Sequence, residues 1–267
     1  FLGKVIDAGY PRIDLVLNTD RNHIREILQK KLGTSLNGKK VVLYAPTFRS
    51  KQGESVNTVK ETGEYMRRIV EILPPDYELV FKVHNMMASF FKTDKYMADR
   101  LIFDEIETNE LLSITDVLIT DYSSIFFDFL CQKKPILFFV YDRREYEDGR
   151  GLYRPLEELP GAVCETIEEL GENFRKIQEG NYEGGKNFRD YLREFAYHDD
   201  GKAAQRVVDI IFGQKPGMEQ YVYQAEQTKN RVMLLADPIL TPEMKWNCIC
   251  ILKEMDYEKD TVVLLAR

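Results

Sequence analysis

Residues 116–128, Asp-Val-Leu-Ile-Thr-Asp-Tyr-Ser-Ser-Ile-Phe-Phe-Asp, constrain the fold more than any other stretch of the chain. Val117, Leu118 and Ile119 are consecutive and apolar, the pattern of a short strand buried on both faces. Ile125, Phe126, Phe129 and Leu130 then recur at helical spacing. The turn between strand and helix carries Asp121, Ser123 and Ser124. A helix start leaves backbone N–H groups unpaired and carries partial positive charge. Hydroxyls placed there can add donors to a bound phosphate. Serine and aspartate are also common N-caps, so this turn alone reads either way. Asp128 follows Ser124 by four residues, so both can share one helix face.

The same strand-then-helix unit repeats along the chain. Apolar runs predict strands at Val41–Phe48, Tyr77–Val83, Arg100–Phe103, Asp116–Thr120, Pro135–Val140 and Ala162–Cys164. Helical periodicity is expected at Thr58–Leu73, stopped by Pro74 and Pro75, and at Thr108–Ile114 and Ser123–Gln132. It continues at Ile167–Gln178, Asn187–Phe195 and Lys202–Phe212. Continuous apolar strands, each followed by a helix, imply an α/β fold, a Rossmann-like parallel sheet with helices on both faces. Ligands of such sheets bind beyond the carboxyl ends of the strands. Thr47, Arg49, His84 and Asp121–Ser124 all sit just past predicted strands, which argues for one shared cleft.

Composition limits the function classes. The chain has 267 residues with a formal net charge of −7. That field gives no general attraction to nucleic acid or to an anionic membrane, and no nucleic-acid partner is expected. No run of about 18 apolar residues predicts a membrane-spanning helix. The first residues lack the basic-then-apolar layout of a signal peptide, and the absence of an initiator Met suggests a fragment of a longer protein. Cys131, Cys164, Cys248 and Cys250 match neither a zinc nor a thioredoxin spacing and read as reduced thiols of a cytosolic protein. With 3 histidines and no carboxylate cluster, neither a bound metal nor a cofactor is expected.

After residue 213 the pattern changes. Gly213-Gln-Lys-Pro-Gly217 breaks the last helix, and a polar stretch follows. Strand, helix and strand are then expected at Arg231–Ala236, Pro242–Met255 and Thr261–Ala266. The expected organisation is a domain at 1–214, a linker at 215–230, and a truncated extra β-α-β unit at 231–267. That unit is apolar on both strand faces, so docking or pairing with another copy is expected there.

Six motifs in fixed order carry a resemblance. They are Gly9-Tyr-Pro-Arg-Ile-Asp14, Tyr44-Ala-Pro-Thr-Phe-Arg49, Lys82-Val-His84, Thr120-Asp-Tyr-Ser-Ser-Ile-Phe-Phe-Asp128, Arg150-Gly-Leu-Tyr153 and Asp200-Gly-Lys-Ala203. The series resembles the CDP-glycerol:poly(glycerophosphate) glycerophosphotransferases, the teichoic acid and capsule polymerases. The resemblance implies the carboxyl-terminal, donor-binding half of a GT-B fold. It implies CDP-glycerol or a related CDP-polyol as substrate and a polyol-phosphate polymer as acceptor. Peripheral membrane association of a full-length parent, at the inner face of the membrane, is implied too. A further histidine of the family belongs to the amino half, and nothing here corresponds to it. Residues 231–267 resemble the opening of another glycosyltransferase-like domain.

Each motif also has a plain physical reading. Arg49 can offer a bidentate fork to phosphate or form a surface ion pair. Thr47 can donate to a phosphate oxygen or start a turn. His84 can be a structural residue or, protonated, can offset charge on a departing CMP. The resemblance assigns catalysis to His84 and Arg49. It assigns donor and phosphate contacts to Thr47, Asp121, Ser123, Ser124, Arg150 and Lys202. Asp121 also reads as a cap or turn residue, and Asp128 as one that orients a helix or a basic side chain. Arg150, in a loop after the fifth strand, can close over phosphate or stay in solvent. Lys202 near a helix start can meet an anion, with Asp199 or Asp200 as N-cap. Arg12 follows Pro11 at the entry to the domain. A sugar-nucleotide glycosyltransferase of the same fold and a non-catalytic binding module are the rival readings.

Overall fold

A computed structural model of the chain describes residues 4–47, 55–83, 91, 95–149, 154–182, 184, 187–213, 216–224, 230–236 and 260–266. The chain divides into two compact units, residues 8–208 and residues 1–7 with 209–267. In chain order the strands are β1 Lys4–Ile6, β2 Lys40–Ala45, β3 Tyr77–Phe81, β4 Val117–Thr120, β5 Ile136–Phe139, β6 Ala162–Cys164, β7 Val222–Gln224, β8 Asn230–Ala236 and β9 Asp260–Ala266. The α-helices are α1 Ile13–Asn18, α2 Arg21–Leu32, α3 Ser55–Ile72, α4 Lys95–Arg100, α5 Thr108–Ile114, α6 Ile125–Phe129, α7 Arg143–Gly149, α8 Ile167–Gln178, α9 Phe188–Phe195 and α10 Ala203–Val208.

In the larger unit, β2 to β6 form one parallel sheet in the order β3-β2-β4-β5-β6. This is the α/β, Rossmann-like architecture expected. Side chains alternate across the sheet, and the two faces feed separate cores. Val41, Leu43, Val80, Leu118 and Phe138 pack with Val16 of α1, Leu28 of α2, Leu111 of α5 and Phe129 of α6. Val42, Tyr44, Phe81, Ile119 and Phe139 pack instead with Ile69 of α3, Met97 of α4 and Phe174 of α8. Burial on both sides explains why these strands read as unbroken apolar runs. Truncating fully buried Leu118 or Leu43 to alanine should cost about 2–5 kcal/mol.

Several elements differ from expectation. At 100–103 there is no strand. Arg100 ends α4, and one isolated bridge, Phe81 to Leu101, is all that joins the sheet. The Lys82 ammonium, just past β3, donates to the carbonyls of Phe103 (2.9 Å) and Ile106 (3.0 Å), which therefore take part in no strand ladder. The helix expected at 123–132 is two pieces, α6 and a 3-10 turn at Leu130–Gln132, ended by Lys133 at φ 53°. A helix, α7, precedes Arg150, where only a loop was expected. The last helix is α10 followed by a π-turn, Asp209–Gly213.

In the smaller unit, β1 pairs antiparallel with β7, Lys4 opposite Gln224. Residues expected to be a linker thus include a 3-10 turn at Glu219–Tyr221 and a strand. β8 and β9 pair in parallel from Asn230 with Asp260 to Ala236 with Ala266. The helix expected at 242–255 lies outside the described residues.

Candidate active site

Strand order reverses between β2 and β4, since β3 lies on one side of β2 and β5 beyond β4. In open parallel sheets a crevice forms at this switch point, beyond the carboxyl ends of the strands. Thr47 stands two residues past β2 and Asp121 directly past β4. The Thr47 amide donates to both carboxylate oxygens of Asp121, at 2.9 and 2.8 Å. The Thr47 hydroxyl donates to Asp121 Oδ1 at 2.6 Å. One step down the strands, the Thr120 hydroxyl donates to the Ala45 carbonyl at 2.8 Å. Asp121 is buried, at 1% exposure, and a buried carboxylate needs such donors to offset lost hydration.

The serines take up the mouth of the same turn. Ser123 is half-buried and Ser124 exposed. Ser124 occupies the cap position of α6, but its side chain makes no capping bond there. Ser123 Oγ accepts a long bond, 3.4 Å, from the Ile125 amide. From the β5 side, Asp142 accepts from the Tyr122 hydroxyl at 3.3 Å, and Tyr146 of α7 stacks on Tyr122 with ring centres 3.5 Å apart. The serine turn is thus fixed between the ends of β2 and β5.

Thr47, Asp121, Ser123 and Ser124 therefore come together. Arg49, His84 and Arg150 lie outside the described residues. The strand preceding His84 is anchored by Lys82, whose ammonium pKa is lowered by burial against the raising pull of Glu107, Asp104 and Glu105.

Lys202 belongs to a second cluster, which joins the first and last motifs. Its amide donates to Asp200 Oδ1 at 3.1 Å. The Asp14 carboxylate accepts from the Ala203 and Ala204 amides at 3.0 and 2.8 Å, so the start of α10 is capped from α1. Arg206 donates to both Asp200 oxygens (2.8 and 2.9 Å) and to the Ala8 carbonyl (2.9 Å). The Tyr10 amide donates to Asp199 at 2.9 Å. Gly9 has φ 86°, and a Cβ there would stand 2.5 Å from the His198 carbonyl oxygen, so only glycine fits this crossing. Arg12 donates to Asp128 of α6 at 2.7 Å, the orienting role expected of Asp128. The pairing of Asp14 with the start of α10 was not foreseen, although both lie within the quoted motifs.

Charge in this cluster is finely set. Burial pushes Asp128 up, the Arg12 charge and hydrogen bond pull it down, and the balance lies above the usual aspartate range. Burial also raises Asp199, against the Tyr10 amide. Asp200 ends below the usual range, because Arg206 and the Lys202 amide outweigh its burial. Among the described residues no group of three His, Cys, Asp or Glu side chains is placed to hold a metal ion, and no helix is long and apolar enough to cross a membrane.

A parallel sheet with polar side chains gathered at its switch point places this unit among the Rossmann-like α/β domains. Comparison with known proteins narrows this class. Residues 2–213 match CDP-Glycerol:Poly(glycerophosphate) glycerophosphotransferase, and the chain belongs to this family. The teichoic acid poly(glycerol phosphate) polymerase of Bacillus subtilis strain 168 is 32% identical over 216 residues, covering 79% of this chain and 29% of that protein. The teichoic acid glycerol-phosphate transferase of Staphylococcus aureus is 32% identical over 218 residues, covering 78% and 54%. The structure of the wall teichoic acid polymerase TagF superposes with a TM-score of 0.62 at 28% identity, over 80% of this chain and 52% of that one. A TagF variant soaked with CDPG gives 0.58 at 27% identity, over 80% and 51%. The chain therefore spans about half, or less, of the length of these relatives.

Proposed function

We propose that this chain supplies the donor-binding half of an enzyme that transfers glycerol phosphate, or a related polyol phosphate, from a CDP-activated donor to a growing polyol-phosphate polymer. The observation that carries the reading is the convergence of Thr47, Asp121, Ser123 and Ser124 at the switch point, inside the region matched by the family. In this reading an acceptor hydroxyl attacks the β-phosphate of the donor. A new P–O bond forms, the bond from the β-phosphorus to the bridging oxygen breaks, CMP leaves with that oxygen, and the hydroxyl proton passes to a base of the amino half.

Catalysis of this kind is mostly positioning and charge stabilisation. Ser123 and Ser124 present hydroxyl donors to the diphosphate. Arg49 and Arg150 supply guanidinium forks to its oxygens, and Lys202 adds positive charge at the start of α10. His84, protonated, offsets the charge that builds on CMP. The acceptor is a teichoic-acid-like or capsule polymer, and peripheral attachment of the full-length parent to the inner face of the membrane belongs to the same reading.

Thermal-shift titration with CDP-glycerol, CDP-ribitol and UDP-sugars tests the donor class. A rise in melting temperature with the CDP compounds supports the reading, because a ligand that binds only the native state stabilises it. A rise with UDP-sugars alone moves the chain to the glycosyltransferases. No rise with any of them removes the donor-binding role.

A further inference from the structure

We propose that Asp121 is a positioning residue of the donor site, acting through Thr47 and making no contact with the diphosphate. The inference rests on the donor-binding reading above and assigns its two innermost residues. Three donor contacts reach the Asp121 carboxylate from one residue, the Thr47 amide to each oxygen and the Thr47 hydroxyl to Oδ1. The hydroxyl has a single hydrogen, and at 2.6 Å it is committed to Asp121. The amide hydrogen is committed as well. Neither donor of Thr47 is then available to a phosphate oxygen, and an ionised carboxylate would repel one.

What the pair does instead follows from its place. Thr47 precedes Arg49 by two residues, and Asp121 precedes Ser123 by two. The link therefore ties the end of β2 to the turn that carries the proposed phosphate donors Ser123 and Ser124, at the point where the strand order reverses. Strand pairing does not depend on it. The Thr120 hydroxyl bond to Ala45 and the Ala45–Thr120 register already hold β2 against β4 one step below. Losing the Thr47–Asp121 link should thus leave the sheet standing while loosening the serine turn from the end of β2. Charge-assisted bonds of this geometry are the stronger kind, so the serine turn holds one direction relative to the end of β2 before the donor arrives.

The test is calorimetric titration of CDP-glycerol into the whole chain, into Asp121→Asn, Thr47→Val and the double variant, with the ligand-free melting temperature of each. Each single substitution should weaken binding about tenfold, the scale of one lost bond to a charged group. The double variant should be little worse than Asp121→Asn alone, because Thr47→Val removes only the hydroxyl bond to that same side chain and leaves the backbone amide in place. Thr47→Ser, which keeps the hydroxyl, should recover most of what Thr47→Val loses. Tighter binding by Asp121→Asn would show a charge facing the diphosphate and overturn the proposal. So would losses that multiply in the double variant, or wild-type affinity in every variant with only the melting temperature lowered. If Asp121→Asn fails to fold, Thr47→Val with Thr47→Ser decides the matter alone. Absence of binding by the unmodified chain would remove the donor-binding reading itself, an outcome distinct from any of these.

Discussion

The Thr47 hydroxyl donates to the Asp121 carboxylate at 2.6 Å, closing the gap between two parallel strands at the point where their order reverses. The residues are 74 positions apart in sequence, yet each lies within two residues of a strand end. The serine turn begins at the Asp121 end of this bond. Tyr122 and Tyr146 fix the turn from the other side.

The second cluster yields a stability prediction. Asp128 is buried, and Arg12, half in solvent, is its ion-pair partner at 2.7 Å. Arg12→Ala leaves a buried carboxylate without that partner, so unfolding in urea should show a loss of roughly 1–2 kcal/mol, between the exposed and buried limits. Arg12→Met combined with Asp128→Asn should recover part of the loss. Stability unchanged in Arg12→Ala would mean that the pair is fully solvated.

The same carboxylate predicts a pH dependence. Burial, tempered by Arg12, holds Asp128 above the usual aspartate range. A folded-state pKa above the unfolded value means that the native state binds the proton more readily in the window between them. Stability then falls as pH rises through that window. Asp128→Asn lacks this titration, so the wild-type melting temperature should drop relative to the variant between the usual aspartate value and the raised one. A gap between the two proteins that stays constant over this range would contradict the assignment.

The described cysteines should be inert. Burial, chiefly, pushes the Cys131 and Cys164 thiols up to about 12, and thiolate is the reactive form. Residue-resolved alkylation of the folded protein at neutral pH should leave both unmodified, while both react after denaturation. Fast native labelling of Cys164, which is buried, would show local opening at β6.

Much of this was legible in the sequence, and the exceptions have physical causes. The five strands of the main sheet announce themselves because both faces are buried, so their apolar residues run without a break. Helix α8 spans the expected Ile167–Gln178, and Thr166 and Glu169 form a reciprocal capping box at its start. Leu101, Ile102 and Phe103 look equally strand-like, but the Phe103 carbonyl, with that of Ile106, is taken by the Lys82 ammonium, a partner distant in sequence. Helix α7, Arg-Arg-Glu-Tyr-Glu-Asp-Gly, has no apolar periodicity and is held by the stacking of Tyr146 on Tyr122. In the site, the serine turn was visible as a local pattern. The role of Asp121 was not, because its partner is identified only once β2 and β4 are known to be neighbours.

In the proposed function the switch-point turn binds the diphosphate of a CDP-activated donor. The most direct test is calorimetric titration of CDP-glycerol into the chain and into Ser123→Ala combined with Ser124→Ala. Neither serine side chain supports the helix strongly, since Ser124 makes no capping bond and Ser123 accepts one long one. The wild type should bind saturably and the double variant at least about tenfold more weakly, the scale set by losing two hydrogen bonds, at an unchanged ligand-free melting temperature. Undiminished binding by the double variant would contradict the proposed function.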